Sequence, residues 1–205
     1  MKRRTYLGRM LGLAMLGLAM ILGLSACEKS ADVSFKHTDL TGLSYAQGFS
    51  LHDTQGKLRT LADFKGKLVV VFFGYTQCPD VCPTTLQEMA QVMQKLGDQA
   101  QKVQMIFVSL DPERDTPAIL AQYVPAFDAR FLALTGDAAA IQKTAAEFKV
   151  IYQKVPGKQV GSYSIDHTAA SFVFDTEGRI RLFVRPGLGP DLLAHDLALL
   201  LKQAK

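Results

Sequence analysis

Basic excess, cysteine and long apolar runs are all scarce in this chain, and each shortage narrows what it can do. The formal charge is +4 over 205 residues, but Lys2, Arg3, Arg4 and Arg9 account for all of it. Residues 27–205 carry 19 basic and 19 acidic side chains. With no basic surplus in that part, nucleic acid is not an expected partner. There is no repeat, no low-complexity tract and no composition shift that would mark a second domain. One compact domain is therefore expected, and an apolar fraction of 48% is enough for a real core. The run Leu11–Leu24 is apolar or glycine throughout, yet at 14 residues it falls short of the roughly 20 that span a bilayer.

That run and its basic start fit a secretory signal core instead. It ends in Leu24-Ser25-Ala26-Cys27, which resembles a bacterial lipoprotein box, in which Cys27 is lipidated and becomes the new N-terminus. The alternative is an uncleaved N-terminal anchor with Cys27 incidental. Either way the domain is expected outside the cytoplasm, on a periplasm-facing membrane surface, inner or outer. The expected layout is a lipoprotein-type signal peptide over 1–26, a polar tether over 27–42 and a folded domain over 43–205. His37 falls in the tether and reads as a solvated linker residue.

Three cysteines are present in all. If Cys27 carries lipid, only Cys78 and Cys82 remain, and a disulfide closing so short a loop adds little stability. The pair is poorly explained as a staple.

The remaining sequence alternates strands and helices. Phe49–His52 and Lys57–Leu61 flank a glycine-containing turn and read as a β-hairpin; His52 lies on its polar side. Leu61–Lys67 is a short connector. Val69–Gly74 is β-branched and aromatic without interruption, the pattern of a strand covered on both faces. It runs into a proline-bounded turn with Cys78 and Cys82, and the periodicity then becomes helical from Pro83 to Leu96, closed by Gly97. Val103–Leu110 reads as a second buried strand, followed by a charged loop and a helix capped by Thr116 and begun by Pro117. A short strand at Phe131–Leu134, a helix carrying Ile141, Ala145 and Phe148, and an extended stretch at Val150–Val155 come next. Pro156–Ser164 reads as a loop. Asp166-His167-Thr168 leads into a strand at Ala170–Phe174, which returns through Arg179–Val184. Pro190–Gln203 closes the chain as a helix with His195 off its apolar face. Alternating strands and helices predict an α/β domain of thioredoxin-like fold: a central mixed sheet flanked by helices, with an N-terminal β-hairpin extension.

The cysteine pair admits several chemistries. Thiols near a helix N-terminus tend to ionise, which favours thiol–disulfide exchange by a redox-active pair with a reversible disulfide. Two thiolates can also hold a soft or borderline metal ion, copper or zinc, if a third ligand arrives from elsewhere. Peroxide reduction is disfavoured, because the threonine sought three residues before the reactive cysteine is absent. Of the histidines, His167 stands at the start of a core-like strand, and Asp166 beside it could orient its ring. A locally hydrogen-bonded, purely structural His167 is the competing reading.

At this point the residues resemble the Sco/SenC family of copper-binding, thioredoxin-like proteins. The resemblance rests on Phe72-Phe73-Gly74-Tyr75-Thr76-Gln77-Cys78-Pro79-Asp80-Val81-Cys82-Pro83, on Val108–Pro117 with its Asp-Pro-Glu-Arg-Asp-Thr run, on Thr135-Gly136 and on Asp166-His167-Thr168. It covers about residues 45–203. Leu110 and Thr168 depart from commoner residues, and neither side chain is a ligand. The resemblance implies copper, as Cu(I) or Cu(II), bound by Cys78, Cys82 and His167. It also implies a role in assembling the dinuclear copper centre of cytochrome c oxidase, with that copper-centre subunit as partner, by delivering copper or by keeping the acceptor's cysteines reduced. Asp80, Asp111 and Asp166 are the acidic residues expected around the site, with Asp111–Thr116 as its rim or merely a solvated turn. Metal binding needs reduced thiols in an oxidising compartment, so a disulfide and a metal-loaded dithiolate should exclude one another, and a thiol reductant is implied.

Overall fold

The computed structural model describes residues 34–204; the expected signal peptide, Cys27 and the first part of the tether lie outside them. The organising strand is β4 (Leu68–Gly74), whose seven residues are all buried. It pairs in parallel with β5 (Val103–Ser109) from Leu68 opposite Val103 to Gly74 opposite Ser109, and antiparallel with β9 (Ser171–Phe174). Covered edges and covered faces are why its sequence is apolar without alternation.

Around it the eight-stranded sheet runs β1-β10-β9-β4-β5-β6-β2-β3. Here β1 is Thr38–Asp39, β2 Ser50–Asp53, β3 Leu58–Thr60, β6 Leu132–Thr135 and β10 Ile180–Val184. The β2–β3 hairpin and the β9–β10 hairpin occupy the places their turns predict. One face of β4, with Val70 and Phe72, packs under α1 (Val81–Leu96), α2 (Pro117–Tyr123) and α4 (Pro190–Gln203) through Leu86, Met93, Leu120 and Leu197. The opposite face, with Val69, Val71 and Phe73, packs under α3 (Ala138–Glu147) and the 3-10 turn Leu61–Phe64. Helices on both faces of a mixed sheet make this the thioredoxin-like fold.

Three local expectations change. Helix α1 begins at Val81, so Pro83 is its third residue rather than its first; the first turn has no intrahelical N–H to lose, so proline fits there too. The loop read at Pro156–Ser164 is in part strand: β7 (Tyr152–Pro156) pairs antiparallel with β8 (Tyr163–His167), as a two-stranded sheet of its own. Polar, half-exposed strands of this kind carry little apolar pattern to announce them. His37 is buried, not solvated: its Nδ1 and its backbone N–H each lie 2.9 Å from the Asp196 carboxylate on α4, and neighbouring Thr38–Asp39 adds a strand to β10. His52 and His195 are exposed, as their faces predict.

Candidate metal centre

The end of β4 brings the chain to the sheet's rim, where the turn closes with Cys78 N–H donating to the Tyr75 carbonyl at 3.3 Å. Cys82 sits in the first turn of α1, and its N–H donates to Cys78 Sγ at 3.4 Å. The Asp80 side chain makes no capping hydrogen bond, so the Cys78 sulfur takes the capping place. Gly74 is what lets the strand end approach so closely. A Cβ there would lie 2.9 Å from Cys82 Sγ and 2.9 Å from Phe107 Cε2.

His167 is the last residue of β8, and its Nε2 lies 3.5 Å from Cys82 Sγ. Its ring sits edge-on to Phe72 and Tyr75, with centroids 6.2 and 6.0 Å away. On its far side Nδ1 lies 3.1 Å from the Thr168 carbonyl. A carbonyl accepts only, so Nδ1 carries the proton and Nε2 presents its lone pair to the sulfurs. One ligand atom each from Cys78, Cys82 and His167 falls within 4.8 Å of the others.

Both cysteines are free thiols and both are buried, Cys78 keeping 8% of its surface exposed and Cys82 none. Burial pushes the Cys82 thiol well above the ordinary range, against the pull of a hydrogen bond from the Tyr75 backbone. The thiolate expected from the helix N-terminus is thus overridden at Cys82: desolvation outweighs the dipole. Burial also holds His167 below the usual imidazole range, so its ring is neutral at pH 7. The resting site is a protonated thiol beside a neutral imidazole. Two sulfurs and one nitrogen converging on one point, with space beside the sulfur secured by Gly74, fit a soft or borderline ion, and three protein ligands leave room for exchange.

The acidic residues divide. Asp80 and Asp166 are exposed. Asp166 acts on His167 only through its charge; the Thr168 carbonyl, not Asp166, orients the ring. Asp111 is 1% exposed, accepts from the Tyr163 hydroxyl at 2.8 Å and pairs with Arg114. The 111–116 loop is therefore built into the rim and is not a solvated turn. Sequence reasoning misses Asp115, which is 1% exposed and accepts from the Thr76 N–H at 3.0 Å and the Ser109 hydroxyl at 2.6 Å. Burial pushes its carboxyl up despite these donors. It misses Tyr75 and Tyr163 as well, because no sequence pattern distinguishes either from an ordinary core or surface tyrosine.

A thioredoxin-like domain that gathers two thiols and an imidazole at the strand–helix corner defines a class of metal-binding domain. Comparison places it more narrowly: the SCO1/SenC family model matches residues 38–202, and the chain belongs to that family. It is 39% identical over 132 residues to the mitochondrial protein SCO2 homolog of Bos taurus, a match covering 63% of this chain and 50% of that protein. Among solved structures, Bradyrhizobium japonicum ScoI with copper bound is 43% identical with TM-score 0.68, over 74% of this chain and 96% of that one. Apo Sco1 from Thermus thermophilus is 42% identical with TM-score 0.74, over 83% and 99%. No helix among the described residues is long and apolar enough to cross a membrane.

Proposed function

We propose that this protein is a membrane-tethered copper chaperone, holding copper as cargo on Cys78, Cys82 and His167 and assisting assembly of the dinuclear copper centre of cytochrome c oxidase. The observation that carries the reading is the convergence of two sulfurs and the Nε2 lone pair within 4.8 Å, from residues 85 positions apart in the chain. Copper in the Bradyrhizobium relative and the association of Sco proteins with cytochrome c oxidase assembly support the identity of the ion and of the acceptor. Loading copper displaces the Cys82 proton, so binding releases protons and tightens as pH rises. Lipidation of Cys27 supplies the tether, with the domain on the periplasmic side. The test has two parts. Titrating His167→Ala with Cu(I) and Cu(II) should weaken binding and change the Cu(II) spectrum; unchanged affinity and spectrum for both ions would remove His167 from the set. Copper-loaded protein should then transfer its ion to an isolated, pre-reduced oxidase copper domain.

A second reading is favoured by the unequal exposure of the two cysteines. In it, Cys78 as thiolate attacks an acceptor disulfide, and Cys82 resolves the mixed disulfide. Two electrons pass to the acceptor, a Cys78–Cys82 disulfide forms, and an external dithiol reductant resets it. Reduction of the acceptor by metal-free protein, undiminished in His167→Ala, would favour this reading.

A further inference from the structure

The ligand His167 is carried by a hairpin that shares no sheet with the cysteines. Among the described residues β7 and β8 pair only with each other. Apolar burial of Ile165 seats them. Side-chain ties from this hairpin run to the 111–114 loop: the Tyr163 hydroxyl to Asp111, Lys154 Nζ to Glu113 at 2.6 Å, and Tyr163 to Arg114, which also touches the cysteine loop. Arg114 Nη1 donates to the Tyr163 carbonyl at 2.8 Å, and the guanidinium lies over the Tyr163 ring with Cζ 3.6 Å from its centroid. The same Nη1 reaches Gln77 Oε1 at 3.1 Å, next to Cys78 in the chain. The Arg114 base is itself fixed, because Nε pairs with buried Asp111, which also holds the Tyr163 hydroxyl. Asp115 ties the same loop to Thr76.

We propose that Arg114 is the positioning residue of the metal centre: it bridges the cysteine loop at Gln77 to the histidine strand at Tyr163, and so sets whether His167 Nε2 reaches the sulfurs. This rests on the reading of Cys78, Cys82 and His167 as the ligand set. Tyr163 and His167 are the two ends of one five-residue strand, and at i and i+4 they lie on the same face of it, so Arg114 holds the face that carries the ligand. A planar fork is needed, since the group must stack on a ring and direct N–H groups to Asp111, Tyr163 and Gln77 at once; a lysine ammonium cannot do so. Stability alone is a poor reason for this placement, because Nη2 is one of two buried side-chain atoms among the described residues that find no partner.

The test compares Arg114→Lys, Gln77→Ala and His167→Ala with the unmodified protein. The readouts are imidazole nitrogen coupling in the Cu(II) electron paramagnetic resonance spectrum, Cu(II) affinity, and amide hydrogen exchange in the reduced, metal-free state. For Arg114→Lys we expect loss of nitrogen coupling in a fraction of the molecules and affinity weakened about ten- to a hundredfold. Exchange should be faster across Tyr163–His167 with β4 and β5 unchanged. Gln77→Ala, which cuts only one end of the bridge, should give a smaller loss of the same kind and serves if Arg114→Lys does not fold. Wild-type coupling, affinity and hairpin exchange in the folded variants would overturn the proposal. If His167→Ala itself leaves coupling and affinity unchanged, the ligand-set reading fails instead, and Arg114 has no centre to position.

Discussion

Replacing Gly74 with alanine places a methyl group 2.9 Å from Cys82 Sγ, 2.9 Å from Phe107 Cε2 and 3.1 Å from Phe72 Cε1. None of these neighbours is a flexible surface tip: Phe72, Cys82 and Phe107 are each fully buried. Carbon–carbon contacts are most favourable near 3.5–4.0 Å, so each neighbour must retreat by several tenths of an ångström. Overpacking of this kind costs about 1–3 kcal/mol. For a domain of this size that is a fall in Tm of about 2–12 °C. The site should suffer beyond the stability loss, because the sulfur is among the atoms displaced. Gly66→Ala is the control: Gly66 has φ +88° with nothing within 4 Å of the added Cβ, so alanine there is strained by its backbone alone and lies away from the sulfurs. Calorimetry with copper titration of both variants separates the effects. Gly74→Ala should lose stability and copper affinity, Gly66→Ala stability only. Equal copper affinity in the two would refute the claim that Gly74 exists to admit the Cys82 thiol.

Other outcomes follow from the same geometry. In reduced, metal-free protein, an alkylating reagent read by mass spectrometry should modify Cys78 before Cys82, because Cys82 is fully buried and its thiol is held protonated. Burial raises the Asp196 carboxyl, but donors from Lys36, His195 and His37 overcome it and hold the group below the ordinary range. A depressed carboxyl contributes stability above its unfolded value, about 3.9, and loses it as pH falls through the folded one. Asp196→Ala should therefore cost about 1–3 kcal/mol for each buried donor it leaves unpaired at neutral pH, and markedly less in acid, as urea unfolding at several pH values would show. Phe148 packs against Phe73, Phe172 and Phe174 at centroid distances of 5.0, 5.4 and 5.8 Å on the face away from the cysteines. Phe148→Ala should destabilise by about 3–5 kcal/mol while copper affinity per folded molecule stays unchanged.

Elements with strong local signals are legible in the sequence itself. The Val69–Gly74 run, the Thr116–Pro117 and Pro190 helix starts and the Asp175–Gly178 turn each depend on residues adjacent in the chain, and each lies where that local pattern puts it. The cysteine pair at the strand–helix corner is legible for the same reason. What the sequence hides depends on distant partners. Nothing near His37 announces Asp196, 159 positions away. The β7–β8 pairing joins two weakly patterned stretches.

Residue chemistry alone narrows the function to thiol exchange or a thiolate metal site, and family resemblance in the motifs chooses copper. Tertiary structure decides the ionisation and aim of those groups. Burial, a property of the packed fold, keeps the Cys82 thiol protonated against the helix N-terminus. A carbonyl one residue on, rather than Asp166, turns the His167 lone pair toward the sulfurs. The contacts that hold the histidine strand against the cysteine loop join three segments far apart in the chain, and only packing reveals such contacts.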